Sequence, residues 1–341
     1  MKTRHLFGIT LSLACALPPA GAQGTASPAP VPVAAPVPAW AYPVNPKDFK
    51  PHPDDGSVRR VPGSTAGYTL SQTRDRFLAP DWHPADHPLM PAVVAGGRKP
   101  DVYACGYCHR ADGSGGPENA NIAGLPESYI AQQMRDFRSG ARKSSVPQRA
   151  PVMLKATLAK AITDEEIAIA ATYFAAIAPV WNVRVVEAER VPATSVAGWV
   201  HADLKNGQTE PLGDRIIEVA DDPDSFELRD ARARFTAYVP PGSVRRGQAL
   251  VNGQVSGKTQ ACAACHGADL RGLGVAPPIL GRSPSYMARQ LFDFQNGNRA
   301  GTHAIQMKPV VDKLTPADIT DIVAYLASVK PGSPGAVAVA Q

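Results

Sequence analysis

The sequence predicts a mainly α protein of two small helical domains in tandem, joined by an irregular, partly extended segment. Three observations lead there. The chain repeats itself at a fixed offset, each copy carries capped stretches with helical spacing, and neither copy shows the alternation of a strand. At 341 residues the chain is long enough for two domains. Its 44% hydrophobic and 19% charged residues exclude wholesale disorder. Proline is abundant at 34 residues, and the five cysteines are too few, and odd in number, for a disulfide-stapled framework.

Lys2 and Arg4 precede an apolar run from Leu6 to Leu17, and Ala20-Gly21-Ala22 supplies a small-x-small cleavage pattern. Residues 1–22 therefore read as a cleaved signal peptide, which makes the mature chain periplasmic with four cysteines. Cys15 as a lipidated residue is the weaker reading, because Ser12 stands where a lipidation signal has leucine. No apolar run reaches the ~18 residues of a transmembrane span. Residues 23–88 form a Pro/Ala-rich spacer and N-terminal extension, with one short helix expected around Ser71–Phe77.

Domain 1 is expected over residues 89–180 and domain 2 over 244–331, followed by a flexible tail, 332–341. Shifted by 157, residues 124–142 fall on 281–299 with nine of nineteen positions identical. These include Tyr129/Tyr286, Gln133/Gln290, Phe137/Phe294 and Gly140/Gly297. Further on, the offset drops to 152, where Thr163-Asp-Glu-Glu-Ile meets Thr315-Pro-Ala-Asp-Ile, so the first copy has five extra residues between. Spacing predicts helices over Ser128–Ser139 and Ser285–Asn296, each stopped by a glycine. Thr163 and Thr315 are N-caps for helices over Ile167–Ile177 and Ile319–Val329. Between the copies, residues 181–243 carry seven basic and eleven acidic side chains and several prolines, and read as a hairpin or irregular wrapping segment. The export signal and a net charge of only +5 argue against nucleic-acid binding.

The four mature cysteines lie in two copies of one pattern, Cys105-Gly-Tyr-Cys108-His109 and Cys262-Ala-Ala-Cys265-His266. Cysteines at i and i+3 share one helix face, where both thiols reach the two vinyl groups of a haem, and the next histidine turns toward the iron. The pattern therefore reads as two covalently attached c-type haems. A zinc ribbon needs its pairs ~15–20 residues apart, a thioredoxin-like pair needs a βαβ context, and plain disulfides leave the repeated histidine unexplained.

The sixth ligand decides whether an iron stays closed for electron transfer. Met134 aligns with Leu291 and Met287 with Ile130, so both are replaceable apolar positions, and Met90 lies upstream of the first motif. Met153 and Met307 remain, each in the loop before the Thr-capped last helix, and are the expected axial partners of His109 and His266. His303, four residues before Met307, is the rival ligand. Arg142, Lys143 and Arg149 flank the Met153 loop and could meet a haem propionate or an acidic partner.

Together these residues resemble the class I cytochromes c and, more closely, the tandem dihaem cytochromes of the c4 type. The likeness covers about residues 99–179 and 244–330. It rests on the two haem segments, the paired Ser-Tyr…Asp-Phe-x-x-Gly-x-Arg helices, one methionine per loop and the last Thr-x-x-[Asp/Glu]-Ile helix. It implies two domains of three to four helices, each around one haem with His/Met ligation. It also implies carriage of single electrons in the periplasm between a protein donor and a protein acceptor. The c4 pattern has a proline after the motif, present as Pro277-Pro278 but replaced by Ala120-Asn121 in the first copy. The N-terminal extension and the acidic segment have no counterpart in that pattern. They leave open a bound cytochrome subunit of a periplasmic dehydrogenase or other redox complex, with membrane-surface association also open. A dihaem peroxidase is the third reading, set against by the matching methionines and helices of the two copies, so a carrier and not an enzyme is expected.

Overall fold

Both sequence copies fold as helical sets whose limits follow their caps. The computed structural model describes Met1 and residues 36–330; the expected signal peptide, the first part of the spacer and the expected tail lie outside the described residues. The N-terminal extension contributes the short helix α1 (Leu70–Arg74), and α2 (Ala92–Ala95) opens the first domain. The first repeat follows as α3 (Cys105–His109), α4 (Glu127–Ser139), α5 (Ala150–Ala161) and α6 (Asp164–Ala175). Gly140, at φ 77°, ends α4 in the left-handed region that favours glycine. Thr163 caps α6 in a capping box with Glu166, and Ile167, Ala170 and Phe174 turn its apolar face inward.

The acidic segment corrects the expectation of an irregular connection. It forms β1 (Val183–Glu187), β2 (Arg190–Pro192), β3 (Thr194–Ala197), β4 (Val200–Asp203), β5 (Thr209–Pro211), β6 (Ile217–Ala220), α7 (Pro223–Glu227) and β7 (Phe235–Val239). β7 is central, parallel to β1 and antiparallel to β6, while β2 pairs with β5 and β3 with β4. Val191, Leu212, Ile217 and Val219 close a small core of their own. The strands are three to five residues long. Pro192 and Pro211 sit at the ends of the β2–β5 ladder, so alternation is too brief to register in sequence.

The second repeat comprises α8 (Ser243–Val251), α9 (Ala263–His266), α10 (Pro284–Gln295), a 3-10 turn at Ala304–Met307, α11 (Lys308–Val311) and α12 (Pro316–Ser328). Its N-terminal helix crosses α12 so closely that a Cβ at Gly247 would lie 1.9 Å from the Asp321 carbonyl oxygen. Met287 joins the core of this repeat and Met134 that of the first, as their sequence partners imply.

The extension is packed down rather than loose. Tyr42 is buried in the second repeat and donates to Asp293 (2.8 Å), which also accepts from the backbone and hydroxyl of Ser145 in the first. Trp82 donates to the Leu228 carbonyl (2.8 Å), His83 meets Asp230 (3.0 Å) and Arg74 meets Glu227 (2.6 Å). The extension and the acidic segment are thus clasped together, the two portions the repeat does not account for.

The repeated residues themselves make the junction between the two copies. Arg142 donates to Tyr286 (3.0 Å), Gln290 (2.8 Å) and Gln133 (2.8 Å), while its counterpart Arg299 donates to Tyr129 (3.3 Å), Gln133 (2.9 Å) and Gln290 (3.2 Å). The two arginines also face each other across an isolated antiparallel bridge. Each copy therefore offers the other the same Tyr-Gln-Arg set, the reciprocal geometry of a two-fold contact.

Candidate functional site

One helical turn carries each cysteine pair. The thiols stand three residues apart, Cys105 and Cys108 within α3, and Cys262 at the N-cap of α9 with Cys265 inside it; all four are free. Burial pushes the Cys105 and Cys262 thiols up to about 11, so both are held protonated at neutral pH. His109 and His266 are buried, and each is oriented by a carbonyl, Ala120 at 2.8 Å and Pro277 at 2.7 Å from Nδ1. A carbonyl accepts only from N–H, so Nδ1 carries the proton and Nε2 keeps its lone pair. Ala120 thus performs without a proline ring what Pro277 does in the second copy. Burial lowers the His109 pKa to about 3 and lowers that of His266 as well, keeping both rings neutral ligands.

A cavity of about 680 Å³ is lined by both motifs at once, together with the junction residues Tyr129, Arg142, Tyr286 and Arg299. Ile130, Met134, Leu158, Leu291 and Phe294 give it apolar walls. Three arginines on the same lining leave buried nitrogens unpartnered among the described residues: Nε of Arg149, Nη2 of Arg282 and Nε of Arg299. A buried guanidinium nitrogen without an acceptor is costly, so the site is built for a ligand that brings carboxylates. Arg149 and Arg142, singled out in the sequence beside the expected Met153 loop, both line this cavity, as does Lys143.

The expected sixth ligands differ in placement. Met307 lines the cavity at the end of the 3-10 turn and packs on the core of the second repeat. His303 also lines it. Met153 does not lie in a loop: it is on helix α5, 51% exposed, while Pro151, Leu154, Lys155 and Leu158 of that helix line the cavity. Lys155, which the sequence reading did not single out, lines the cavity from the same helix. Counting forward from Arg142 selected Met153, whereas counting back from Thr163 by the same eight residues that separate Met307 from Thr315 reaches Lys155. Burial holds the Lys155 ammonium below the ordinary lysine range.

Comparison with known proteins bears on this geometry. The family model described as Cytochrome c matches residues 244–330. Cytochrome c-554(548) of Halomonas halodenitrificans is 38% identical over 72 residues, 21% of this chain and 87% of that protein. The chain belongs to the cytochrome c family. Within it the chain is c4-like. Cytochrome c4 of Pseudomonas aeruginosa is 26% identical over 65% of this chain and 82% of its own length. The thiosulfate dehydrogenase electron acceptor of Thiomonas intermedia is 25% identical over 69% and 82%. Membership implies covalently bound haem c, and the residues present fit it. Paired thiols, imidazoles with a free Nε2, apolar walls and unpaired guanidinium nitrogens are what attachment, ligation, burial and propionate neutralisation require.

The cytochrome treats its two motifs unequally. Tyr107, inside the first, is covered by Arg229 of the acidic segment, whose guanidinium lies 3.8 Å from the ring centroid and donates to the Tyr107 carbonyl (3.1 Å) and hydroxyl (2.9 Å). Arg110, directly after His109, is fully buried beside Glu118 (3.5 Å) and holds φ 67°, where the second copy has Gly267. By contrast Ala264 and Cys265 are exposed, and so are the apolar Leu273 and Val275 shortly after them in the chain. Among the described residues no helix is long and apolar enough to cross a membrane.

Proposed function

We propose that this cytochrome is an exported, periplasmic electron carrier with two haems. One is attached through Cys105 and Cys108 with His109 as proximal ligand, and the other through Cys262 and Cys265 with His266 and Met307 as axial pair. The observation that carries this reading is the cavity shared by both motifs at a reciprocal junction, which brings two sites into one protein interior. The haems supply the one-electron chemistry; the chain holds them, excludes water and balances their carboxylates with arginine.

Its inequality assigns the two sites different tasks. The first is roofed by Arg229 and the clasped extra segments, so those segments serve as a cover rather than as free docking surface. The second is followed at once by the exposed apolar Leu273 and Val275, surface of the kind on which a transient redox partner seats. The donor is a periplasmic dehydrogenase of the kind that reduces the Thiomonas relative, and the chain itself carries electrons without transforming a substrate. Leu273→Asp is expected to slow reduction of the holo-cytochrome by such a donor roughly tenfold, about 1.4 kcal/mol at the encounter surface. Stopped-flow mixing reads this, with optical spectra unchanged. An equal rate in the variant would remove the second site as the point of exchange.

A further inference from the structure

The two sites also differ in what stands opposite the histidine, and this inference rests on the two-haem reading above. We propose that the Nζ of Lys155, and not the sulfur of Met153, is the sixth ligand of the first haem iron. The copies are in register through their last helices, where Thr163 and Thr315 form matching capping boxes with Glu166 and Asp318. In that register Lys155 occupies the place of Met307.

Helical phase then separates the two candidates. Residues two apart on an α-helix point about 200° away from each other, so Met153 and Lys155 on α5 cannot both face inward. Lys155 shares the inner face with Pro151, Leu154 and Leu158, while Met153 shares the outer one with the exposed Thr157 and Lys160. The charged and titratable groups that act on the Lys155 amine are Cys105, Cys108 and Arg142, and no carboxylate is among them. In turn Lys155 is the foremost charged side chain acting on His109. An amine without a carboxylate partner, lining the same cavity as the histidine and thiols of that motif, is available to give its lone pair to iron, its proton passing to water.

An amine is a harder donor than a thioether and favours ferric iron, so the first haem sits at the lower potential. An electron held there would move downhill to the second haem, whose attachment motif is the more exposed of the two.

The test uses the full holo-cytochrome, with haem content measured on each sample. With two haems per chain, the ferric wild type is expected to show the thioether-to-iron charge-transfer band for one iron. Met307→Ala abolishes that band and Met153→Ala leaves it unchanged. Lys155→Met doubles it and raises the lower of the two potentials, and Lys155→Ala converts one iron to high spin. A wild-type band worth two irons, halved by Met153→Ala and untouched by Lys155→Ala, would overturn the assignment while leaving the two-haem reading intact. One haem per chain would instead remove the reading on which it rests.

Discussion

Gly247→Ala is expected to destabilise the cytochrome by about 3 kcal/mol, the upper part of the range for overpacking a tight core. In an ordinary helix interior the same change stabilises by about 1 kcal/mol, because alanine has the better helix propensity. The sign is therefore diagnostic. At Gly247 a Cβ would stand 1.9 Å from a backbone oxygen of Asp321 and 2.9 Å from the Cβ of Tyr325, so α8 and α12 must move apart and loosen the core of the second repeat. Urea unfolding followed by far-ultraviolet circular dichroism reads the shift in midpoint. An unchanged or raised midpoint would mean that the helices do not cross at this glycine.

Arg142→Ala and Arg299→Ala should each cost about 2 kcal/mol, since each removes charge-assisted hydrogen bonds to partly buried acceptors on both copies. The reciprocal junction makes a sharper claim about the pair. Gln133 and Gln290 each accept from both arginines, so after one substitution each glutamine keeps a donor and only the second leaves it unpaired. The double variant should exceed the sum of the singles by about 1 kcal/mol or more, measured as a double-mutant cycle in urea. Additive losses would show two independent surface contacts instead of one two-fold network.

Much of this was legible in the sequence because the signals were local and repeated. The two Cys-x-x-Cys-His turns, the glycine after α4 and the threonine caps of α6 and α12 depend on neighbours within one or two turns. The junction was legible only as repetition: Tyr129, Gln133 and Arg142 stood out with their partners, but nothing in a linear chain says that they meet. The β layer of the acidic segment escaped because its strands are too short, and too often ended by proline, for a period of two to register. The docking of Tyr42, Trp82 and His83 escaped for a related reason, since single anchors in aperiodic chain have no pattern. Met153 is the instructive case. Five extra residues before α6 lengthen α5 into three regular turns, and helical phase, not chain distance from Arg142, then decides which side chain faces the cavity.

The central claim, two haems carried by one chain, is tested most directly by intact-protein mass spectrometry of the cytochrome as exported and matured. A mass increase of two haems is expected, falling to one in Cys105→Ser/Cys108→Ser and to one in Cys262→Ser/Cys265→Ser. A wild-type increase of a single haem, or none, would contradict it.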